Sequence, residues 1–192
     1  MPDKKQIRQA LIEKSRTIPI YQFGFIQPND IFFDDSLRDH CRYRCEHFKT
    51  CWSCPPAIDS ISNCKERCLS YSEGLFFSTI LEKQPSRRLL WKDDLKNINS
   101  HEKITLDLEN VLAELGLQTY IVSSDKCYIC NKCNYPKEPC RYPEIMHPCL
   151  ESHGIMLSSI ANSLGMDYYL ENGSRLMFSL LLYKTNEDMI EN

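Results

Sequence analysis

The chain has 192 residues, 42% of them hydrophobic and 26% charged, with a formal net charge of −3, the profile of one ordinary globular domain. That balance gives no support for a nucleic-acid surface, which would be basic, and no apolar run approaches the length of a membrane span. Eleven cysteines are the anomaly, and an odd total leaves at least one thiol unpaired in any disulfide scheme.

Residues 4–15 carry Ile7, Ala10 and Leu11 at helical spacing and read as a short amphipathic helix. Because this N-terminal stretch is charged and lacks the apolar core of a secretory signal, a cytoplasmic location is expected. There, clustered thiols serve more often as metal ligands than as disulfides. Residues 18–26 (IPIYQFGFI) are β-prone and end at the turn signal Pro28, Asn29, Asp30, with residues 31–33 a possible second strand.

The first cysteine region follows as HCRYRCEHFKTCWSCPP, bringing Cys41, Cys45, Cys51 and Cys54, with Cys64 and Cys68 further on. The Pro55, Pro56 pair cannot continue a helix and makes a stiff turn that would fix a ligand's direction. A C-x3-C-x2-C radical triple is excluded, because Phe48 stands where its third cysteine would be.

Residues 75–81 (LFFSTIL) read as a strand, and residues 87–96 are charged around Trp91. The group Arg87, Arg88, Lys92 and Lys96 is either a local basic patch or a solvated helix face. A helix is expected over residues 100–115, where Ile104, Leu108, Val111, Leu112 and Leu115 share a face, with Asn99 and Glu102 as cap and partner and Gly116 as the stop. Residues 118–123 (QTYIVS) then make a strand that runs into the second cysteine region.

That region, CYICNKCNYPKEPCRYP, carries Cys127, Cys130 and Cys133 with two-residue gaps, then Cys140 among Pro136, Pro139 and Pro143. Thiols stepped this closely can bind different irons of one cubane, as in the C-x2-C-x2-C-x3-C-P run of ferredoxins, although the last gap here is longer and Arg141 follows the final cysteine. Structural zinc is the alternative, but it prefers two C-x2-C pairs separated by a longer loop. Disulfides come third, since such small loops would constrain little.

Residues 150–164 are expected to form a helix ended by Gly165, and residues 176–183 (LMFSLLLY) a strand buried on both faces. The whole reads as a single compact α/β domain over residues 1–192, with a small central sheet, flanking helices and two cysteine-rich metal loops at one end. Its first centre lies within residues 41–68 and its second within 127–149.

CWSCPP, then CYICNKCNYPKEPCRYP, then LESHGIML together resemble the predicted metal-binding family called domain of unknown function 2284, from about Cys41 to the last strand. The resemblance implies a cytoplasmic bacterial or archaeal protein with cysteine-bound metal, iron–sulfur in type, and no settled reaction. Carried over by residue, the second motif falls on Cys127, Cys130, Cys133 and Cys140. The first falls on Cys41, Cys45 and Cys54, with Cys64 as the fourth ligand and Cys51 or Cys68 as replacements for it. The three-residue gap between Cys41 and Cys45 departs from the family's closer pair. Cys51, Cys68 and Cys149 lie outside the pattern and read as buried or spare thiols, since free cysteine packs as a small hydrophobe.

Lys132, Lys137 and Arg141 in one motif, and Arg42, Arg44 and Lys49 in the other, either compensate cluster charge or are simply solvated. Tyr128, Tyr135, Tyr142, Phe48 and Trp52 either shield sulfur or belong to the core. His40 and His47 flank the first site and His153 follows the second, but none is expected to be a ligand. No phosphate loop, Ser-His-Asp order or H-E-x-x-H is present. The function expected is electron transfer through two 4Fe–4S clusters to a redox partner protein, with no nucleic acid or membrane span; oligomeric state is not legible. The alternatives are a zinc-stabilised interaction module, and an enzyme or maturation factor using a cluster with one open iron.

Overall fold

The computed structural model describes residues 2–81, 90–171 and 173–185. Five helices surround one sheet: α1 (Lys4–Ser15), β1 (Gln22–Ile26), α2 (Ser36–Arg44), α3 (Ile61–Leu69), β2 (Glu73–Leu81), α4 (Leu90–Glu114), β3 (Thr119–Ser123), α5 (Leu157–Ser163) and β4 (Arg175–Tyr183). This is the expected mixed α/β single domain, and its four strands, in the order β1-β2-β4-β3, are antiparallel throughout.

The two central strands are apolar along almost their whole length because both faces of the sheet are covered. Leu75, Phe77, Leu181 and Tyr183 face α1 and α4, where Ile7, Leu11, Leu108 and Leu112 complete one core. Phe76, Phe178, Leu180 and Leu182 face the other way, into a core shared with Leu150, Ile155, Ile160 and Ala161. Period-two alternation thus splits one apolar run between two layers.

α1 begins where expected, and Asp3 and Gln6 close a capping box at its start. α4 corrects the sequence reading. The helix starts at Leu90 instead of residue 100, so Asn99 lies within it and not at its start, and the Glu102 carboxylate is used elsewhere. The charged stretch simply extends the helix's first turns, because Lys, Asp and Leu are all tolerated there. Of the basic group, Arg87 and Arg88 lie outside the described residues, as do the side chains of Trp91, Lys92 and Lys96. Gly116 ends the helix as expected, at φ +72°.

The helix expected over residues 150–164 is also corrected. A single 3₁₀ turn (Glu151–His153) stops at Gly154, whose φ is +74°, and α5 is only Leu157–Ser163. Gly154 accepts a backbone bond from Asp34 at 2.7 Å, and a Cβ there would meet the Asp34 carbonyl at 3.2 Å, so the chain must turn and approach closely at that point. The strand expected over residues 18–26 is confined to Gln22–Ile26, and residues 31–33 contribute only one bridge, Phe33 to Ile155. Helices α2 and α3, inside the first cysteine region, were not anticipated.

Candidate metal centre

α2 carries Cys41, 7% exposed, and ends at Cys45, its half-buried C-terminal cap. The chain then turns through residues 46–56, where Lys49 donates its N–H to the Pro55 carbonyl at 2.9 Å and Cys54 donates to Cys51 at 3.4 Å. This tight loop buries Cys51, Ser53 and Cys54 almost completely.

Ser53 ties three segments together. Its hydroxyl accepts the Cys127 N–H at 2.8 Å and lies 3.3 Å from the Cys51 sulfur, while its carbonyl accepts the Cys149 N–H at 3.2 Å. Trp52 adds a second clasp, donating its indole N–H to the Glu138 carbonyl at 3.1 Å and meeting Tyr135 edge-on at 5.0 Å. The two cysteine regions, distant in sequence, therefore meet at the end of the sheet where β3 finishes and β4 begins.

Electrostatic coupling follows the same route. Cys45 acts on Cys41, Cys41 on Cys149, Cys149 on Cys54, Cys54 pairs with Cys51, and Cys51 and Cys140 both act on Cys127. These seven thiols form one series joining the two centres. Cys130 and Cys133 sit half-buried in the same loop as Cys127 and Cys140. Cys64 is not in the series. It lies on α3 with its thiol directed at the Asp59 carbonyl, 3.6 Å away, and its thiol neighbour is Cys68.

The thiols differ in acidity. A hydrogen bond from Cys54, reinforced by Ser53 and Thr50, lowers Cys51, and the same bond with burial pushes Cys54 up. Of the pair, Cys51 is the one favoured to carry charge, and a soft metal would take both as thiolates. Burial raises Cys41 and Cys64, takes Cys127 to about 11 and Cys68 to about 12, and, together with the Glu151 carboxylate, puts Cys149 well above its ordinary value. Metal binding to these thiols must release their protons.

All the cysteines are free thiols, so the donor set is soft sulfur, which suits iron–sulfur clusters or zinc. Among the described residues, no three Cys, His, Asp or Glu side chains stand close enough together to hold a single metal ion.

Beneath the second region lies a polar chain that sequence reasoning missed. His147 donates from Nδ1 to Glu102 at 3.0 Å, Ser123 donates to Glu102 at 2.6 Å, and Ser179 lies 2.8 Å from both Ser123 and His101. His101 in turn meets Thr79 at 2.8 Å. Burial opposes charge on His147, but Glu102 and Glu109 outweigh it and raise His147 to about 9. Burial, with a smaller push from the His147 charge and against the pull of Glu102, carries His101 the other way, to about 4. His147 Nε2 has no hydrogen-bond partner; Glu109 stands 3.7 Å off, at ion-pair distance. The i, i+7 spacing of Glu102 and Glu109 on an otherwise apolar helix face was the available signal.

Two cavities flank the thiol series. One of about 700 Å³ lies between the proline-rich loop and β3, with Cys140, Trp52, Tyr120, Arg67 and His147 in its walls. The other, about 940 Å³, is lined by Cys41, Cys45 and Cys149 together with Arg44, Arg175 and Phe178. Of the aromatics expected to cover sulfur, Trp52 and Tyr135 cover the joint between the loops, whereas Tyr142 is 44% exposed. His47 pairs with Asp125 at 3.3 Å, and His153 accepts a 2.5 Å hydrogen bond from the Tyr120 hydroxyl.

The family described as predicted metal-binding protein, DUF2284, matches residues 24–183. The chain belongs to that family. As a DUF2284 member it is a cysteine-rich predicted metal-binding protein, and the matched span takes in both cysteine regions and all four strands but β1's first two residues. No curated protein and no solved structure matches the chain. Among the described residues, no helix is long and apolar enough to cross a membrane.

Proposed function

We propose that this DUF2284 protein holds two 4Fe–4S clusters and exchanges single electrons with a partner protein. The observation that supports the reading is the Ser53 node, whose hydroxyl holds the Cys127 N–H and whose carbonyl holds the Cys149 N–H, so that the two cysteine regions meet. Cys127, Cys130, Cys133 and Cys140 would hold the second cluster. Cys41, Cys45 and Cys54 would hold the first, with Cys64 the thiol nominated for its fourth position by sequence.

When bound, such clusters gain and lose one electron at a potential set by burial, charge and hydrogen bonds to sulfur. The chain's own residues supply those settings. Cys41, Cys51 and Cys54 are buried, which keeps water from the first region, whereas the second presents Ile129 and Tyr142, each at least 40% exposed, beside its thiols. That apolar rim is where a redox partner would approach. Arg38, which acts on Cys41, places positive charge beside the first region. The Arg141 side chain instead donates to the Lys132 carbonyl at 2.9 Å, bracing the second loop.

A second reading, an enzyme or maturation factor, is favoured by one observation. The 700 Å³ cavity has Cys140 in its wall and a buried imidazole, His147, whose Nε2 makes no hydrogen bond and has Glu109 3.7 Å away. A zinc-stabilised module would use the same thiols.

Anaerobic purification followed by iron, sulfide and zinc analysis tests the reading. About eight irons and eight sulfides per chain, with an EPR signal on reduction, are expected. Stoichiometric zinc with no iron and no cluster signal would overturn it in favour of the module.

A further inference from the structure

We propose that Cys149, not Cys64, completes the first centre as the fourth thiolate ligand of its iron–sulfur cluster, beside Cys41, Cys45 and Cys54. This rests on the iron–sulfur reading above and names the ligand set which that reading leaves unfinished.

The placement of Cys149 is built into the backbone. Its N–H donates to the Ser53 carbonyl at 3.2 Å, which joins it directly to the Cys51–Cys54 loop. On its other side it forms a parallel bridge with Ser123. Ser123 donates to the Pro148 carbonyl at 2.9 Å and accepts from the Leu150 N–H at 2.9 Å, so the residues before and after Cys149 are both held to the end of β3. A thiol carried on main chain tied down this way has its direction set before any metal arrives.

The surroundings suit the role. The cavity of about 940 Å³ has Cys41, Cys45 and Cys149 in its walls. Through the Ser53 carbonyl Cys149 is joined to the loop that carries Cys54, while Cys41 and Cys45 share its cavity. Arg44 and Arg175 line the same cavity, opposed there by Glu46, Asp125 and Glu151, and the Arg38 guanidinium acts on Cys41 with its Nε left without a hydrogen-bond partner. Such cations steady a cluster whose net charge is negative. Leu157, Met177 and Phe178 give the cavity an apolar side.

Of these features Cys64 shares only the Arg38 guanidinium. Its neighbours are Cys68, Asp59, Arg38 and Arg67, and it lies fully buried on α3 without reaching the cavity that Cys41 and Cys45 share. Cys51 is engaged with Cys54 on one side and acts on Cys127 on the other, placing it between the two centres. The Cys149 thiol now donates to Glu151 at 2.9 Å, and that proton must leave when the sulfur binds metal.

The test is anaerobic reconstitution of the full chain with ferrous iron and sulfide, comparing wild type with Cys149→Ser and Cys64→Ser. Iron, sulfide and the EPR spectrum of the reduced protein are read for each. Cys149→Ser is expected to lose about half of the wild-type iron and sulfide, or to convert one signal to that of a three-iron cluster, while the other cluster's signal stays. Cys64→Ser is expected to keep wild-type metal and spectrum. Full iron with an unchanged spectrum in Cys149→Ser overturns the assignment of Cys149 while leaving the iron–sulfur reading intact. Loss of a cluster in Cys64→Ser overturns it equally, even if Cys149→Ser does not fold. A wild-type chain that takes up no iron overturns the iron–sulfur reading and this assignment with it.

Discussion

Cys41, Cys51, Cys54, Cys64 and Cys68 are each less than a tenth exposed, with Cys45 and Cys149 half-buried beside them, whereas Cys127, Cys130, Cys133 and Cys140 are all half-buried in a stretch with no helix or strand before Pro143. The first region is held by α2, α3 and the Ser53 node. The second is held at its start by Cys127 N–H on Ser53, near its end by Trp52 on Glu138, and from beneath by the polar chain running from His147 to Thr79. The difference teaches that the first set of thiols is held by helices and a buried node, while the second hangs on a loop fixed near its two ends and from beneath. Such loops are drawn from the least stable part of a structure.

The comparison breaks most severely at the brace. Glu102→Leu leaves the buried His147 imidazolium with Glu109 alone, 3.7 Å away, and is expected to cost about 3 kcal/mol in urea unfolding at pH 7. Adding His147→Phe should recover part of this, because an apolar pair replaces a stranded charge; no recovery would mean that packing and not charge is at stake.

Acid should act next. The folded protein keeps His101 neutral down to about pH 4, while the unfolded chain takes up that proton near 6.5. The stabilisation is therefore complete above about pH 6.5 and is lost as pH falls toward 4, by up to about 3 kcal/mol. The stability difference between wild type and His101→Gln should shrink over that range, whereas a constant difference would contradict the buried neutral imidazole.

At the joint, Ser53→Ala removes the acceptor of the Cys127 N–H and should cost about 2 kcal/mol by the same unfolding assay. It should also lower metal content in both regions, since Ser53 touches both.

The smallest effect sharpens the contrast itself. Chelating the metal under reducing conditions should speed hydrogen exchange of amides 127–142 by about tenfold while α2 and α3 change far less. Equal loss of protection in both regions would remove the distinction drawn here.

Much of the fold was legible locally. α1 announced itself through Asp3 and Gln6, the end of α4 through Gly116, and β4 through an apolar run that only a strand covered on both faces tolerates. The first cysteine region was not legible as helix, because its polar and charged residues show little periodicity and α2 and α3 are stabilised by what packs on them: the 3₁₀ turn of residues 151–153 lies against both. The helix over residues 150–164 failed for a tertiary reason as well, since Gly154 turns to reach Asp34.

What the chain determined by itself was the chemistry: eleven thiols, their close spacing at residues 127–140, and an apolar pattern sufficient for a covered sheet. Spacing along a chain reports which donors can act as near neighbours, and that is a local property. Which distant thiols keep company was decided only in three dimensions, where Ser53 draws Cys149 to the first loop and α3 turns Cys64 to the Asp59 carbonyl. Hydrogen bonds between residues 70 to 100 positions apart set those partners, and their geometry leaves no periodic trace in sequence.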